Sequence, residues 1–275
     1  MVRLCIGVLT HCDSKKMPLR FEIVKKALMS LEKIARPDVH IHVWDNNSSD
    51  EFREFLSSCS FFDKIYFSDE NFFDIVAVNC LLSLANKLDA EFVCHLEDDF
   101  LFYDSNFLDS CFEFLENNED CGYLRILKYD VNNKDIYDKF KNHPNKDVAN
   151  CQRHFNNISK EPLSWINAGF YQGRSFYKNN WHWYNYANIC RREVFAKIVP
   201  KEDCDPLHGL EGIMMKNYHD LGLQVGVLDQ GVVTHLDGAI NKDTSIRISL
   251  GADQRKLEKI SLEKVLREID KRTKE

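Results

Sequence analysis

No stretch of this 275-residue chain approaches the roughly 18 consecutive apolar residues that a membrane span requires. No start-of-chain signal peptide is legible either, because the apolar run Leu4 to Leu9 is short, follows Arg3 and gives way at once to His11 and Asp13. The ten cysteines never stand in C-x-x-C spacing. Cys5, Cys80, Cys94, Cys111 and Cys190 lie inside apolar or helical patterns, which reads as buried free thiols in a reducing compartment. A cytoplasmic protein is therefore expected, with the sequons at Asn47 and Asn157 unused. Positive charge is short too: 36 Lys and Arg face 43 Asp and Glu, a net charge of −7, so nucleic acid held by bulk charge is not expected as a partner. An anionic substrate would need a local cation. Internal repeats are absent. What the chain does have is 44% hydrophobic and 12% aromatic residues, enough to bury the core of an enzyme-sized globular body.

Apolar runs and helical periods alternate along the first half. Val2 to Leu9 reads as a strand, Arg20 to Ile34 as a helix with one buried face, and Val39 to Trp44 as a second strand. The turn Asp45-Asn46-Asn47-Ser48-Ser49-Asp50 can cap a helix over 51–58. Lys64 to Phe67 is a third strand and Asp74 to Leu88 a further helix, and Phe92 onward is a fourth strand. Strand and helix in this order predict a mostly parallel α/β sheet with crossover helices, whose ligands gather at the strand carboxyl ends. Thr10, Asp45 and the triplet Glu97-Asp98-Asp99 all fall there. Later come a helix over 106–116, a strand over 122–127, and a polar loop or insertion over 128–162. The remainder reads as helices over 189–198 and 209–221, a strand over 224–233, and an amphipathic helix in the tail 239–275.

The acidic triplet is the most informative feature. It follows the apolar Phe92, Val93 and Leu96 and precedes Phe100, Leu101 and Phe102. Three adjacent acids between apolar runs repel one another and resist desolvation, and a hard divalent cation such as Mg or Mn relieves both costs. A solvated strand end is the plainer alternative.

Taken in order, the motifs resemble nucleotide-sugar glycosyltransferases of the GT-A fold, closest to the family-two group. The resemblance runs over residues 2–238: Gly7-Val8-Leu9-Thr10 with Arg20 and Ala27-Leu28; Val43-Trp44-Asp45-Asn46-Asn47-Ser48-Ser49-Asp50; Asn71, Asn79 and Ala85; and Leu96-Glu97-Asp98-Asp99 as a DXD-type element. Asn188 to Phe195, Leu210-Glu211-Gly212, Gly222 to Val225 and Val233-Thr234-His235 follow. It implies one catalytic domain over 1–238, with a Rossmann-like nucleotide half at 1–125 fused to an acceptor half at 126–238.

The resemblance implies a metal-dependent transfer from a nucleoside-diphosphate sugar, a UDP-sugar foremost, to a hydroxyl of a glycan or other acceptor, inverting by direct displacement. Asp99 and His235 would hold Mn²⁺ or Mg²⁺; Asp45 would meet the nucleobase; Glu97 or Asp98 would meet the ribose or a metal-bound water; Thr10 and Asn79 would line the donor. Glu211 is the candidate general base, with Glu202 and Asp205 behind it, because Gly212 stands where relatives carry a second acid. As a plain helix residue, Glu211 would equally suit the N-terminal dipole. His235 could be an ordinary hydrogen-bonded histidine. Trp181 and Trp183 are candidates for an acceptor platform, while Asp74 and Arg20 could meet donor or diphosphate. Two other functions fit less well. A sugar nucleotidyltransferase would want a Gly-rich loop where Thr10 to Lys16 has none. A non-catalytic glycan-binding relative is kept open by Gly212.

Overall fold

The computed structural model describes residues 1–71, 73–126, 166–180, 187–200 and 210–236. Strands β1 (Leu4–Thr10), β2 (Val39–Asn46) and β4 (Phe92–Glu97) form where apolar runs are buried on both faces, and β3 (Lys64–Ser68) is a partly exposed edge strand. Helices α1 (Pro18–Met29), α2 (Asp50–Ser58) and α3 (Phe73–Lys87) connect them, and a 3₁₀ turn over Ser30–Ile34 extends α1. Pro18 opens α1, where its missing N–H costs nothing. Beyond the acidic triplet come β5 (Phe100–Phe102), α4 (Leu108–Asn117), β6 (Cys121–Arg125), β7 (Ile166–Tyr171) and β8 (Arg174–Asn179). The last described elements are β9 (Asn188–Arg191), α5 (Arg192–Ile198), α6 (Leu210–Asp220), β10 (Gln224–Leu228) and β11 (Val233–His235).

Among the described residues nine strands make one sheet in the order β3-β2-β1-β4-β9-β6-β10-β8-β7, and β11 pairs with β5 in a small second sheet. β1 to β4 are mutually parallel, as are β6 and β10. β9 lies antiparallel between β4 and β6, and β8 antiparallel between β10 and β7. Strand alternation sorts the core into two layers. Leu4, Ile6 and Val8 of β1 join Val24, Leu28, Phe52, Leu56 and Phe112 from α1, α2 and α4 on one face. Cys5, Trp44 and Val93 join Val76, Leu81, Phe195, Met214 and Tyr218 from α3, α5 and α6 on the other. At Gly7 the sheet and α3 meet so closely that a Cβ would sit 2.5 Å from the Trp44 ring and 3.1 Å from Leu81. Any larger residue there would overpack the layer.

Three expectations from the sequence need correction. Residues 188–191 are a strand, not the start of a helix: Ile189 and Cys190 are fully buried inside the sheet, and a short apolar run carries no period that separates the two cases. The strand expected over 224–233 is broken after Leu228 by a turn through Gly231, so β10 and β11 belong to different sheets. Ser49 occupies the N-cap of α2, but its hydroxyl makes no capping bond. That hydroxyl faces Ser14 Oγ at 2.9 Å and accepts from Ser14 N at 3.2 Å, tying the loop after β1 to the loop after β2. The β7–β8 hairpin had no sequence expectation; it turns through Gln172 (φ 44°) and Gly173 (φ 84°), the paired left-handed residues of a tight hairpin. The loop at 128–162, the tail 239–275, Trp181, Trp183, Glu202 and Asp205 lie outside the described residues, as does the side chain of His235.

Candidate active site

Because β1 to β4 are parallel, their carboxyl ends share one edge. Thr10 registers with Asp45, Asn46 with Ser68, and Leu9 with Glu97. The chain therefore brings three loops together, after β1, β2 and β4, and side-chain bonds stitch them. Thr10 Oγ1 donates to Asp98 Oδ2 at 2.7 Å, and the His11 amide donates to the same oxygen at 3.3 Å. The other oxygen, Oδ1, accepts from Arg20 Nη2 at 2.7 Å, and Arg20 Nε donates to the His11 carbonyl at 3.3 Å. His11 Nδ1 lies 2.7 Å from the Asn46 carbonyl, and Ser48 Oγ accepts from the Cys12 amide at 2.8 Å. Asp98, whose side chain is almost wholly buried, thus has both oxygens engaged within the protein.

Electrostatics identify what gathers around the triplet. The half-buried Glu97 carboxyl is pushed well above the usual carboxylate range, first by burial and then by the charges of Asp74, Asp99, Glu211 and Asp98. These five carboxylates come from β4, the turn after it and the first turns of α3 and α6. Asp98 is also raised, burial outweighing the lowering by Arg20, Thr10 and His11. Arg20 answers from the other side, its own ionisation held up by Asp98 first and by Asp99, Cys12 and Glu97 in turn. The backbone of His235 registers opposite Phe100, and the Leu236 amide donates to the Asp99 carbonyl at 2.9 Å. Asp99 and His235, 136 positions apart by their numbers, are brought side by side in the chain's path through the small sheet.

Asp45 is fully buried at the end of β2. Its Oδ2 accepts from Arg53 Nε at 2.9 Å and from the Ser48 amide at 3.3 Å. Its Oδ1 has no hydrogen-bond partner among the described residues. An unmatched buried carboxylate oxygen is costly and leaves one acceptor of Asp45 unused within the described residues. Asn79 is half-buried on α3, and its amide donates to the Ile75 carbonyl at 2.8 Å, within its own helix.

Sequence reasoning passed over Arg53, which also bonds the Ser68 carbonyl and so braces the ends of β2 and β3 together. The available signal was a cation on the helix directly after the Asp45 turn. It also left Asp74 as a minor possibility, whereas Asp74 is the first charge to act on Glu97.

Among the described residues no three His, Cys, Asp or Glu side chains are already disposed around one point for a metal ion. The donor chemistry nevertheless suits a hard divalent cation. The triplet, Asp74 and Glu211 crowd negative charge at the edge of a desolvated site, and their mutual repulsion raises Glu97 despite the presence of Arg20.

Comparison with solved structures places this architecture. The fragment 1–349 of TarS from S. aureus superposes with a TM-score of 0.51 at 17% identity, covering 85% of this chain and 60% of that one. The same fragment with UDP-GlcNAc bound gives 0.51 at 16%, covering 85% and 58%. The mannosyltransferase PcManGT from Pyrobaculum calidifontis, with GDP-Man and Mn²⁺, gives 0.52 at 13%, covering 84% and 56%. The chain thus spans somewhat under two thirds of each of these proteins. No family model matches the sequence, and no curated protein matches it at the sequence level. The likeness is one of fold: an α/β, mostly parallel sheet of the GT-A type, as the motif order implies. Among the described residues no helix is long and apolar enough to cross a membrane.

Proposed function

We propose that this chain is a glycosyltransferase that moves a sugar from a nucleoside-diphosphate donor, a UDP-sugar, to an acceptor hydroxyl with inversion and with a divalent cation. The observation that carries this reading is the meeting of Glu97, Asp98, Asp99, Asp74 and Glu211 with Thr10 and Asp45 at one sheet edge. It is supported by the sharing of this fold with proteins solved with UDP-GlcNAc and with GDP-Man and Mn²⁺.

In this reading Asp99 and His235 hold the cation, Mn²⁺ or Mg²⁺, which when bound neutralises charge growing on the departing diphosphate. Asp45 receives the nucleobase on Oδ1, and Thr10, Glu97, Asp98 and Asn79 line the rest of the donor. Asp98 contributes chiefly by fixing the loop after β1, since Thr10, His11 and Arg20 already engage its oxygens. Glu211 takes the proton from the acceptor hydroxyl. The acceptor oxygen then bonds to the anomeric carbon as the bond to the diphosphate oxygen breaks, and the electron pair leaves with the nucleotide. Burial around the triplet limits water, the competing acceptor. Trp181 and Trp183 would offer ring faces to a glycan. The setting is the cytoplasm, and residues 1–238 act as one catalytic domain.

The test is calorimetric titration of the protein with UDP, with and without Mn²⁺. Binding that strengthens with Mn²⁺ is expected, and absence of binding in both cases would refute the proposal.

A further inference from the structure

The environment of Asp45 divides its two oxygens. Oδ2 is filled by two donors, Arg53 Nε at 2.9 Å and the Ser48 amide at 3.3 Å, whereas Oδ1 is buried and without a partner among the described residues. Arg53 cannot swing away without loss. Its other nitrogens reach the Ser68 carbonyl and, at 3.8 Å, Asp69, while the exposed Phe67 ring lies 5.5 Å from the guanidinium carbon. The fork is therefore held at three points, on β2, β3 and the residue after β3.

A carboxylate with both oxygens open matches two adjacent N–H groups, as in other fork-to-carboxylate pairings. Among nucleobases that is the Watson–Crick edge of guanine. A carboxylate reduced to one open oxygen matches a single N–H flanked by carbonyls, which is the imide edge of uracil. Cytosine and adenine present a ring-nitrogen acceptor at that place and would face the carboxylate's charge. We propose that Arg53 is a specificity-determining positioning residue: by occupying one oxygen of Asp45 it leaves a one-donor reader that selects a uracil-type imide over guanine. This rests on the donor-binding reading above and sharpens it, since PcManGT, of similar fold, was solved with a guanine nucleotide.

The experiment measures binding of UDP, GDP and N3-methyl-UDP to the full chain by calorimetry in Mn²⁺, for the wild type, Arg53→Met and Arg53→Lys. The wild type is expected to bind UDP at least about tenfold tighter than either of the others, the scale of one charge-assisted hydrogen bond. Arg53→Met leaves Oδ2 with the Ser48 amide alone, which frees one of its two lone pairs for a second base N–H, and is expected to narrow the UDP-to-GDP ratio by about tenfold, while Arg53→Lys, which still occupies Oδ2, keeps most of it. A brace without a part in base choice would lower both affinities together and leave the ratio intact, and that result would overturn the proposal. Equal wild-type affinity for UDP and GDP, or tolerance of the N3-methyl group, would overturn it without any variant having to fold. Failure of the wild type to bind any of the three would instead remove the donor-binding reading on which it stands.

Discussion

Arg20 and Asp98 form a buried ion pair, Nη2 to Oδ1 at 2.7 Å, that joins the first helix to the middle acid of the triplet across 78 positions of sequence. The pair counters the strong repulsion among the neighbouring carboxylates, and Thr10 and the His11 amide complete the solvation of Asp98. Removing the cation would leave Asp98 buried beside Asp99 and Glu97, with the neutral Thr10 hydroxyl and His11 amide as its own remaining donors among the described residues.

Arg20→Met is therefore expected to lower unfolding free energy by about 2–4 kcal/mol, somewhat below the cost of breaking a wholly buried pair because the Arg20 side chain is 20% exposed. Asp98→Asn should restore part of the loss in the double variant. Urea denaturation of the four proteins of this cycle measures the coupling, and purely additive effects would contradict it.

Glu211→Gln should leave UDP binding within about twofold of the wild type and lower the rate of sugar transfer by about 10²- to 10⁴-fold, the range for loss of a general base. Asp99→Asn should do the opposite in part: Mn²⁺-dependent UDP binding falls, while thermal stability holds or rises because one of the charges acting on Glu97 is gone. Calorimetry and a transfer assay on both variants separate the two roles. A Glu211→Gln protein that transfers at the wild-type rate would exclude it as the base.

Gly212 is in the first turns of α6, and among the described residues nothing lies within 4 Å of where its Cβ would be. The missing second acid is thus not a steric demand of the fold. Gly212→Ala should raise stability by about 0.5–1 kcal/mol through helix propensity, and Gly212→Asp by a similar amount with help from the helix dipole. A melting temperature that falls in both variants would show that the glycine is needed for a close approach.

His42 is 6% exposed on β2, stacked among His40, Trp44 and Tyr66, and neither ring nitrogen has a partner among the described residues. Burial drives its pKa down from 6.5 to about 4, with Asp63 opposing and His40 and Lys64 assisting. Between those values the unfolded chain binds a proton that the folded one refuses, so stability is complete above about pH 6.5 and declines as pH falls. From pH 7 to pH 5 the loss assigned to this residue is about 2 kcal/mol. Urea titrations at pH 5, 6 and 7 should show His42→Phe losing less than the wild type by about that amount, and parallel losses would refute the assignment.

The sheet and the gathering of Thr10, Asp45 and the triplet were legible because parallel strands send their carboxyl ends to one side, and the motif order places each residue at such an end. Glu211 could be assigned to a helix start from sequence, but its approach to Glu97 depends on how α6 packs, which no local pattern encodes. The same limit hid Arg53, whose partners are on β2 and β3, and it hid β9, where a four-residue apolar run reads alike as helix or strand. The turn Asp45 to Asp50 does lead into α2, yet the hydroxyl at the N-cap position, that of Ser49, is engaged by Ser14 from the loop after β1.

The position of β9 also bears on how the polypeptide matures. β4 and β6 are emitted early from the ribosome, but the strand that separates them begins only at Asn188. Until then the half built on β1 to β4 ends in a naked, strongly apolar rim at Phe92 to Leu96, the kind of border that recruits foreign strands. Fragments ending before residue 188 should therefore clump rather than persist as a small independent module, and holdase chaperones would be expected to attend the nascent chain through that interval.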